Sequence, residues 1–122
     1  MVVPGDRYWM RYEIIFTGSF KRQIKKLKKK YLRIKDDLNP LLVSIEKGEL
    51  PGDPIAGLLN KVYKVRCVSS DMKRGKSGGY RIIYYLEGRD SKIYLLTIYS
   101  KAQRANIPVD EILQMLKELD LR

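Results

Sequence analysis

Three runs decide the fold: Val62-Tyr-Lys-Val-Arg-Cys-Val-Ser69, Tyr80-Arg-Ile-Ile-Tyr-Tyr-Leu86 and Lys92-Ile-Tyr-Leu-Leu-Thr-Ile-Tyr99. Each is seven or eight residues long and rich in Val, Ile and Tyr, the residues that favour strands. Ser70–Gly79 and Glu87–Ser91 separate them, and both connections are short enough for hairpins. The runs therefore predict an antiparallel meander.

Upstream the period changes. Phe20, Ile24, Leu27, Tyr31, Ile34, Leu38, Leu41 and Ile45 recur at spacings of four and three, one apolar stripe on a helix or helical hairpin. Helices are expected at about 18–30 and 32–47, with boundaries uncertain by roughly two to four residues. Asn39-Pro40 predicts a kink or break in the second. Before them, Tyr12-Glu-Ile-Ile-Phe-Thr17 reads as a first strand. After them, Glu49-Leu-Pro-Gly-Asp-Pro-Ile-Ala-Gly57 reads as a connecting loop. Pro108-Val-Asp-Glu111 opens a last helix with an Ile112, Met115, Leu116, Leu119 stripe and acids where the helix dipole favours them.

The expected order is β-α-α-β-β-β-α. That is an α+β domain: a four-stranded antiparallel sheet with the helical pair on one face. Residues 1–10 have no period and read as a flexible N-terminal extension, with Met10 as an alternative start. Residues 11–122 read as a single domain.

Composition narrows the function. The 122 residues include 25 Lys or Arg and 14 Asp or Glu, a net charge of +11. A pI near 9.8 on so small a domain points to a polyanionic partner, nucleic acid before an anionic membrane surface. The chain has no histidine, which excludes His-based triads and His general acid–base chemistry. One cysteine, Cys67, rules out an internal disulfide, argues for the cytoplasm, and without histidine argues against zinc. No apolar run approaches the roughly 18 to 20 residues of a membrane span.

The positive charge is clustered. Residues 21–35 hold nine Lys or Arg and no acid. A solvated helix face would mix its signs, so this one favours phosphate contact. On the first of the three runs, alternation places Lys64 and Arg66 on one face and Tyr63, Val65 and Cys67 on the other. The following loop adds Lys73, Arg74 and Lys76, and the next strand adds Arg81. Its Gly75-Lys-Ser77 is not a P-loop: Ser70 stands where the earlier glycine belongs, and a strand follows instead of a helix. Taken alone it reads as a basic hairpin loop with glycine for tight turning, but with Lys64 and Arg66 on the neighbouring strand it can instead complete a cationic cleft. Lys101 and Arg104 follow the last strand. Nine tyrosines against two phenylalanines are mostly packing residues. Tyr84 and Tyr94 are examples of that packing, and a few others at the edge of a basic sheet could stack on unpaired bases.

Lys64-Val-Arg66, the basic loop, Gly78-Gly-Tyr-Arg-Ile-Ile-Tyr-Tyr-Leu86 and Tyr94-Leu-Leu-Thr-Ile-Tyr-Ser-Lys101 resemble the RelE/ParE toxin superfamily, the HigB/RelE branch in particular. The resemblance spans about residues 11–119 and implies a RelE-like fold. It implies a toxin of a type II toxin–antitoxin system, with a cognate antitoxin as partner. In the RelE and HigB branches such toxins cut mRNA in the ribosomal A site, whereas the ParE branch poisons DNA gyrase.

Carried over residue by residue, Lys64 and Arg66 match the family's basic strand pair, Arg81 its Tyr-Arg arginine and Lys101 its strand-end lysine. The family's further arginine falls on Ala102 and its C-terminal tyrosine near Pro108. Arg104, Lys76, Tyr84 and Tyr99 are the candidates to stand in for them. The expected catalytic set is Lys64, Arg66, Lys76, Arg81 and Lys101. The expected RNA-binding set is Lys73, Arg74, Tyr84, Tyr99 and Arg104. Arginine suits charge neutralisation at phosphate, and Lys64 or Lys76 would serve as acid or base. Residues 61–81 carry seven Lys or Arg and one acid, a surface that repels a divalent cation. The reading therefore takes no metal and no cofactor, with mRNA and the ribosome as further partners and no membrane.

Overall fold

The computed structural model describes residues 11–59, 61–72, 78–89 and 91–119. The elements are β1 (Glu13–Phe16), α1 (Gly18–Lys28), α2 (Ile34–Glu46), β2 (Asp53–Pro54), β3 (Val62–Cys67), β4 (Tyr80–Glu87), β5 (Lys92–Ser100) and α3 (Val109–Glu118). The expected N-terminal extension, residues 1–10, lies outside the described residues.

The class and element order agree with the sequence reading, and the sheet corrects it in two respects. It has five strands in the order β1-β5-β4-β3-β2. The added β2 has only two residues, one a proline, and was hidden in the turn-rich segment. Gly52 just before it sits at φ +94 against the Lys64 carbonyl, where a Cβ would collide. The sheet is also mixed. β3, β4 and β5 form the antiparallel meander, but β1 runs parallel to β5, Glu13 opposite Lys92 through Phe16 opposite Leu95. Parallel neighbours cannot be joined by a hairpin. Here α1, α2 and the meander form the long connection.

Thr17 fixes the turn out of β1. Its hydroxyl donates to the Leu95 carbonyl at 2.7 Å and accepts from Phe20 N at 3.3 Å, capping α1. α2 runs unbroken through Pro40, correcting the expected break. Asn39 and Pro40 face solvent, so the hydrogen bond that proline cannot make is missing where water can replace it. Ile34, Leu38 and Ile45 stay in phase on the buried side.

Both faces of the sheet are packed. Phe20, Leu27, Tyr31, Ile34, Leu38 and Ile45 of the helical layer meet Val65, Cys67, Tyr80, Ile82, Tyr84, Ile93, Leu95 and Ile98. On the other face Leu58, Val62, Ile83, Tyr94, Leu96 and Tyr99 pack with Ile107 and with Ile112 of α3. The helical pair therefore covers one face, as expected, and α3 covers the other. β4 and β5 read as nearly continuous apolar runs, the pattern of strands covered on both sides.

One irregularity has large consequences. Ile83 is opposite Thr97 and Tyr84 is opposite Leu95, so Leu96 is an extra residue on β5. The bulge reverses the alternation beyond it. Strict period two would put Tyr99 on the same face as Ile93 and Leu95, under α1 and α2. Instead Ile98 takes that face and Tyr99 joins the α3 face.

Tyr84 lies at the centre of the helical face. It is fully buried, stacked on Tyr63 with ring centroids 5.2 Å apart, and its hydroxyl donates to the Pro51 carbonyl at 2.6 Å. Burial pushes its phenol far above the ordinary range. Tyr84→Phe removes that bond and leaves the Pro51 carbonyl without its partner. It should cost about 1 to 2 kcal/mol in urea unfolding and leave RNA affinity unchanged.

Candidate functional site

The α3 face carries the charge. Alternation on β3 sends Lys64 and Arg66 to this side with Val62, while Val65 and Cys67 enter the helical core. Arg66 lies directly opposite Arg81, and Arg81 directly opposite Tyr99. Arg66, Arg81 and Tyr99 thus form a row across β3, β4 and β5, with neighbouring strands about 4.8 Å apart. Lys64 sits further along β3, opposite Ile83, and its Nζ donates to Asn106 Oδ1 at 3.1 Å. α3 covers the Ile83 and Leu96 part of this face and leaves Arg66 exposed.

The row is electrostatically unbalanced. Like charges directly opposite across two strands are destabilising, by up to about 1 kcal/mol. Among the described residues the one ion pair is Arg104–Glu111, so neither Arg66 nor Arg81 has an acid there. Arg81 is 9% exposed, and its Nη1 donates to the carbonyls of Gly78 and Tyr80, both at 3.3 Å. Those carbonyls orient the guanidinium without neutralising it. Such an arrangement fits an anion that arrives from outside.

Tyr99 closes the row. It is 2% exposed, and its hydroxyl has no hydrogen-bond partner among the described residues. Burial pushes the phenol up, and the charges of Arg81 and Arg104 pull it down by less. It stays protonated, and therefore a donor, at neutral pH. Arg104 makes a bidentate contact with Glu111, Nη1 to Oε2 and Nη2 to Oε1, both 3.0 Å. Lys101 lies exposed in the turn after β5, the turn that Gln103 braces by accepting from Ser100 N at 3.0 Å. Ser100, Ala102 and Gln103 also share a pocket of about 180 Å³ with Lys26 and Lys30 of the basic helical segment. The basic helix and the cationic row belong to opposite layers, and the helix reaches the end of β5 through this pocket.

The expected residues divide into three groups, with Lys101 apart from them in the exposed turn after β5. Lys64, Arg66, Arg81 and Tyr99 come together on one face, with Arg104 near enough for its charge to act on the Tyr99 phenol. Tyr84 lies on the opposite face, in the core, and does not reach the row. Lys73, Arg74 and Lys76 lie outside the described residues. Their loop nevertheless leaves a fixed base. Gly79 N donates to Met72 Sδ at 3.0 Å, and Ser69 Oγ donates to the Tyr80 hydroxyl at 3.2 Å. Asp37 accepts from Ser70 N and Oγ, and Asp71 accepts from Arg33 N at 2.8 Å, so the two carboxylates tie the loop's first residues to the start of α2.

Sequence reasoning missed Glu111 and Asn106, the partners of Arg104 and Lys64. Glu111 read as a first-turn acid, and no spacing marked Asn106. Cys67 is no nucleophile. Burial, and then Asp37, push its thiol up to about 11, and the Sγ donates to the Asp37 carbonyl. Among the described residues no group of three or more His, Cys, Asp or Glu could hold a metal ion. No helix there is long and apolar enough to cross a membrane.

A five-stranded mixed sheet, covered by a helical pair and by α3 on the other face, defines an α+β domain of the RelE-like fold. The chain superposes on the E. coli toxin RelE, solved as a mutant in the free state, with a TM-score of 0.55 over 91% of this chain and 99% of that one. The two are 15% identical, so the likeness is one of fold. The toxin–antitoxin complex RelBE2 of Mycobacterium tuberculosis matches more loosely, with a TM-score of 0.45, 19% identity, and coverage of 79% of this chain and 94% of that one. No family model matches the sequence.

The facing charges of Arg66 and Arg81 are unfavourable to the fold. Arg66→Gln removes one of two facing charges while keeping a long polar side chain. Its thermal midpoint should stay level or rise, while its affinity for a short RNA at low salt should fall about tenfold, with a shallower salt dependence.

Proposed function

We propose that this protein is the toxin of a type II toxin–antitoxin system and acts in the cytoplasm as a ribosome-dependent mRNA endoribonuclease. The observation that carries the reading is the Arg66–Arg81 pair, two facing guanidinium groups without an acid among the described residues, on a RelE-like sheet. The net charge of +11 supports a polyanionic substrate.

The chemistry follows from what the side chains can do. No residue is an evident activated nucleophile, so the attacking group is the RNA's own 2′-hydroxyl. A base removes its proton, the 2′-oxygen bonds to the adjacent phosphorus, the bond to the 5′-oxygen breaks, and an acid protonates that oxygen. Arg66 and Arg81 neutralise the charge that builds on the phosphorane. Lys64 and Lys76 are the candidate acid and base, with Lys101 as a further phosphate contact. Lys73, Arg74 and Arg104 bind the RNA backbone. Without histidine, the rate rests on positioning and charge stabilisation more than on proton transfer. The products carry a 2′,3′-cyclic phosphate, or its opened 3′-phosphate, and a 5′-hydroxyl.

A protein this basic would be held silent by an antitoxin with an acidic or amphipathic segment lying over the helices and the charged face. The apolar groove between α1, α2 and the end of β1, lined by Phe16, Phe20, Ile24, Leu38 and Leu42 and edged by Lys21 and Lys35, supports such a contact.

Induction of the wild type should arrest growth and leave mRNA cut within ribosome-protected codons. Arg81→Ala should abolish both while the protein stays folded and still binds its antitoxin. A message with a 2′-deoxy sugar at the cut site should bind and stay intact. Arrest with intact mRNA would instead indicate a protein target, as in the gyrase-directed branch. RNA binding with neither arrest nor cleavage would indicate a plain binding module. Undiminished cleavage of the deoxy message would exclude 2′-hydroxyl attack.

A further inference from the structure

Among the buried tyrosines, Tyr84 and Tyr99 lie on opposite faces of the sheet and are treated differently. Tyr84 donates to the Pro51 carbonyl, as a structural tyrosine does. Tyr99, equally enclosed, donates to nothing among the described residues. A buried hydroxyl without a partner is costly, and a phenylalanine would fill the same space without that cost. Cross-strand register puts Tyr99 beside Arg81. The charges of Arg81 and Arg104 both act on its oxygen. Each arginine is engaged elsewhere, Arg81 with the Gly78 and Tyr80 carbonyls and Arg104 with Glu111. An unpaired donor beside two cations matches one kind of ligand, an oxyanion with several acceptor oxygens.

We propose that the Tyr99 hydroxyl is a phosphate ligand, donating to a non-bridging oxygen of the phosphodiester that Arg66 and Arg81 hold, and that Arg104 leaves Glu111 to close on the same phosphate. The assignment of the phosphodiester to RNA rests on the function proposed above, whereas the oxyanion subsite does not. Arg104 is free to make the move. Its contact with Glu111 is about 40% exposed on both sides, and exposed ion pairs are weakly held. In the free protein the arginine is parked on α3. In the complex it would sit on the phosphate, and the phenol would gain the acceptor it lacks. This role differs from base stacking, which needs an exposed ring face that Tyr99 does not offer.

The test uses the full-length protein and a single-stranded DNA oligonucleotide, which carries the phosphodiester without the 2′-hydroxyl and so binds without being cut, with inorganic phosphate as a second probe. Tyr99→Phe should keep or raise the thermal midpoint and weaken oligonucleotide binding about tenfold, the loss of one hydrogen bond to a charged acceptor. Tyr84→Phe, the core control, should lower the midpoint and leave binding alone. Glu111→Gln should tighten binding two- to threefold by releasing Arg104. If inorganic phosphate binds and is weakened in parallel by Tyr99→Phe, the subsite recognises the phosphate itself. If only the oligonucleotide responds, the subsite is specific for the nucleic-acid backbone. Unchanged oligonucleotide affinity in Tyr99→Phe would overturn the proposal, as would failure of the wild type to bind the oligonucleotide. Unchanged binding in Glu111→Gln would overturn the movement of Arg104. Wild-type cleavage of ribosome-bound mRNA tests the nuclease reading separately. If it is absent while Tyr99→Phe still weakens binding, the nuclease reading fails and the phosphate ligand stands.

Discussion

The placement of Arg81 beside Tyr99 depends on the bulge at Leu96. β4 and β5 are covered on both faces, so every apolar residue of the pair is committed to one core or the other. In such a sheet a one-residue shift reverses the side of everything beyond it. The extra residue lets Ile93 and Leu95 enter the helical core and still gives that core Ile98. The same shift turns Tyr99 to the face where Arg66 and Arg81 project. The packing of one layer and the makeup of the charged row are consequences of a single irregularity.

The charged row sits on a stable support and is itself unfavourable. Arg81 is mostly buried, with two long carbonyl contacts among the described residues, Arg66 faces it, and Tyr99 holds a hydroxyl unpaired among those residues. Each is a local cost. Two apolar cores, each with side chains enclosed to 1% exposure or less, can carry such costs. Costs gathered at one spot are the usual mark of a site preorganised for a partner of opposite charge, since the donors need no rearrangement when the charge arrives. The bonds beneath the row fit that role. Asp37 and Asp71 tie the approach to the basic loop to the start of α2, and Met72 closes on Gly79 at its base.

The dense cationic helix has a different part. It lies in the layer behind the sheet, and its basic residues Lys25, Lys26 and Lys28 in the last turn also favour the helix dipole. Lys26 and Lys30 line a pocket with Ser100, Ala102 and Gln103. Positive surface thus runs from the helix to the strand end that bears the row. A long polyanion can follow such a surface, and its affinity will fall with salt.

The sequence by itself determined the class, the order of the elements other than β2, and the sides of β3. A switch from spacings of three and four to Val-, Ile- and Tyr-rich runs is a local property, and alternation on the regular six-residue strand Val62–Cys67 is enough to put Lys64 with Arg66. Tyr84 was within reach of the same logic: it is three residues from Arg81 on one strand, so the two point to opposite faces. The tertiary structure alone decided the rest. The parallel pairing of β1 with β5 joins residues far apart in the chain, and the two-residue β2 is too short to leave a pattern. The position of α3 on the second face follows from which strand faces remain to be covered. The bulge at Leu96 is set by how both cores fill at once, and the partners Asn106 and Glu111 meet Lys64 and Arg104 only after the chain has turned back beside β3 and into α3. Alternation is written residue by residue, whereas register breaks and side-chain pairings are settled by packing between distant segments.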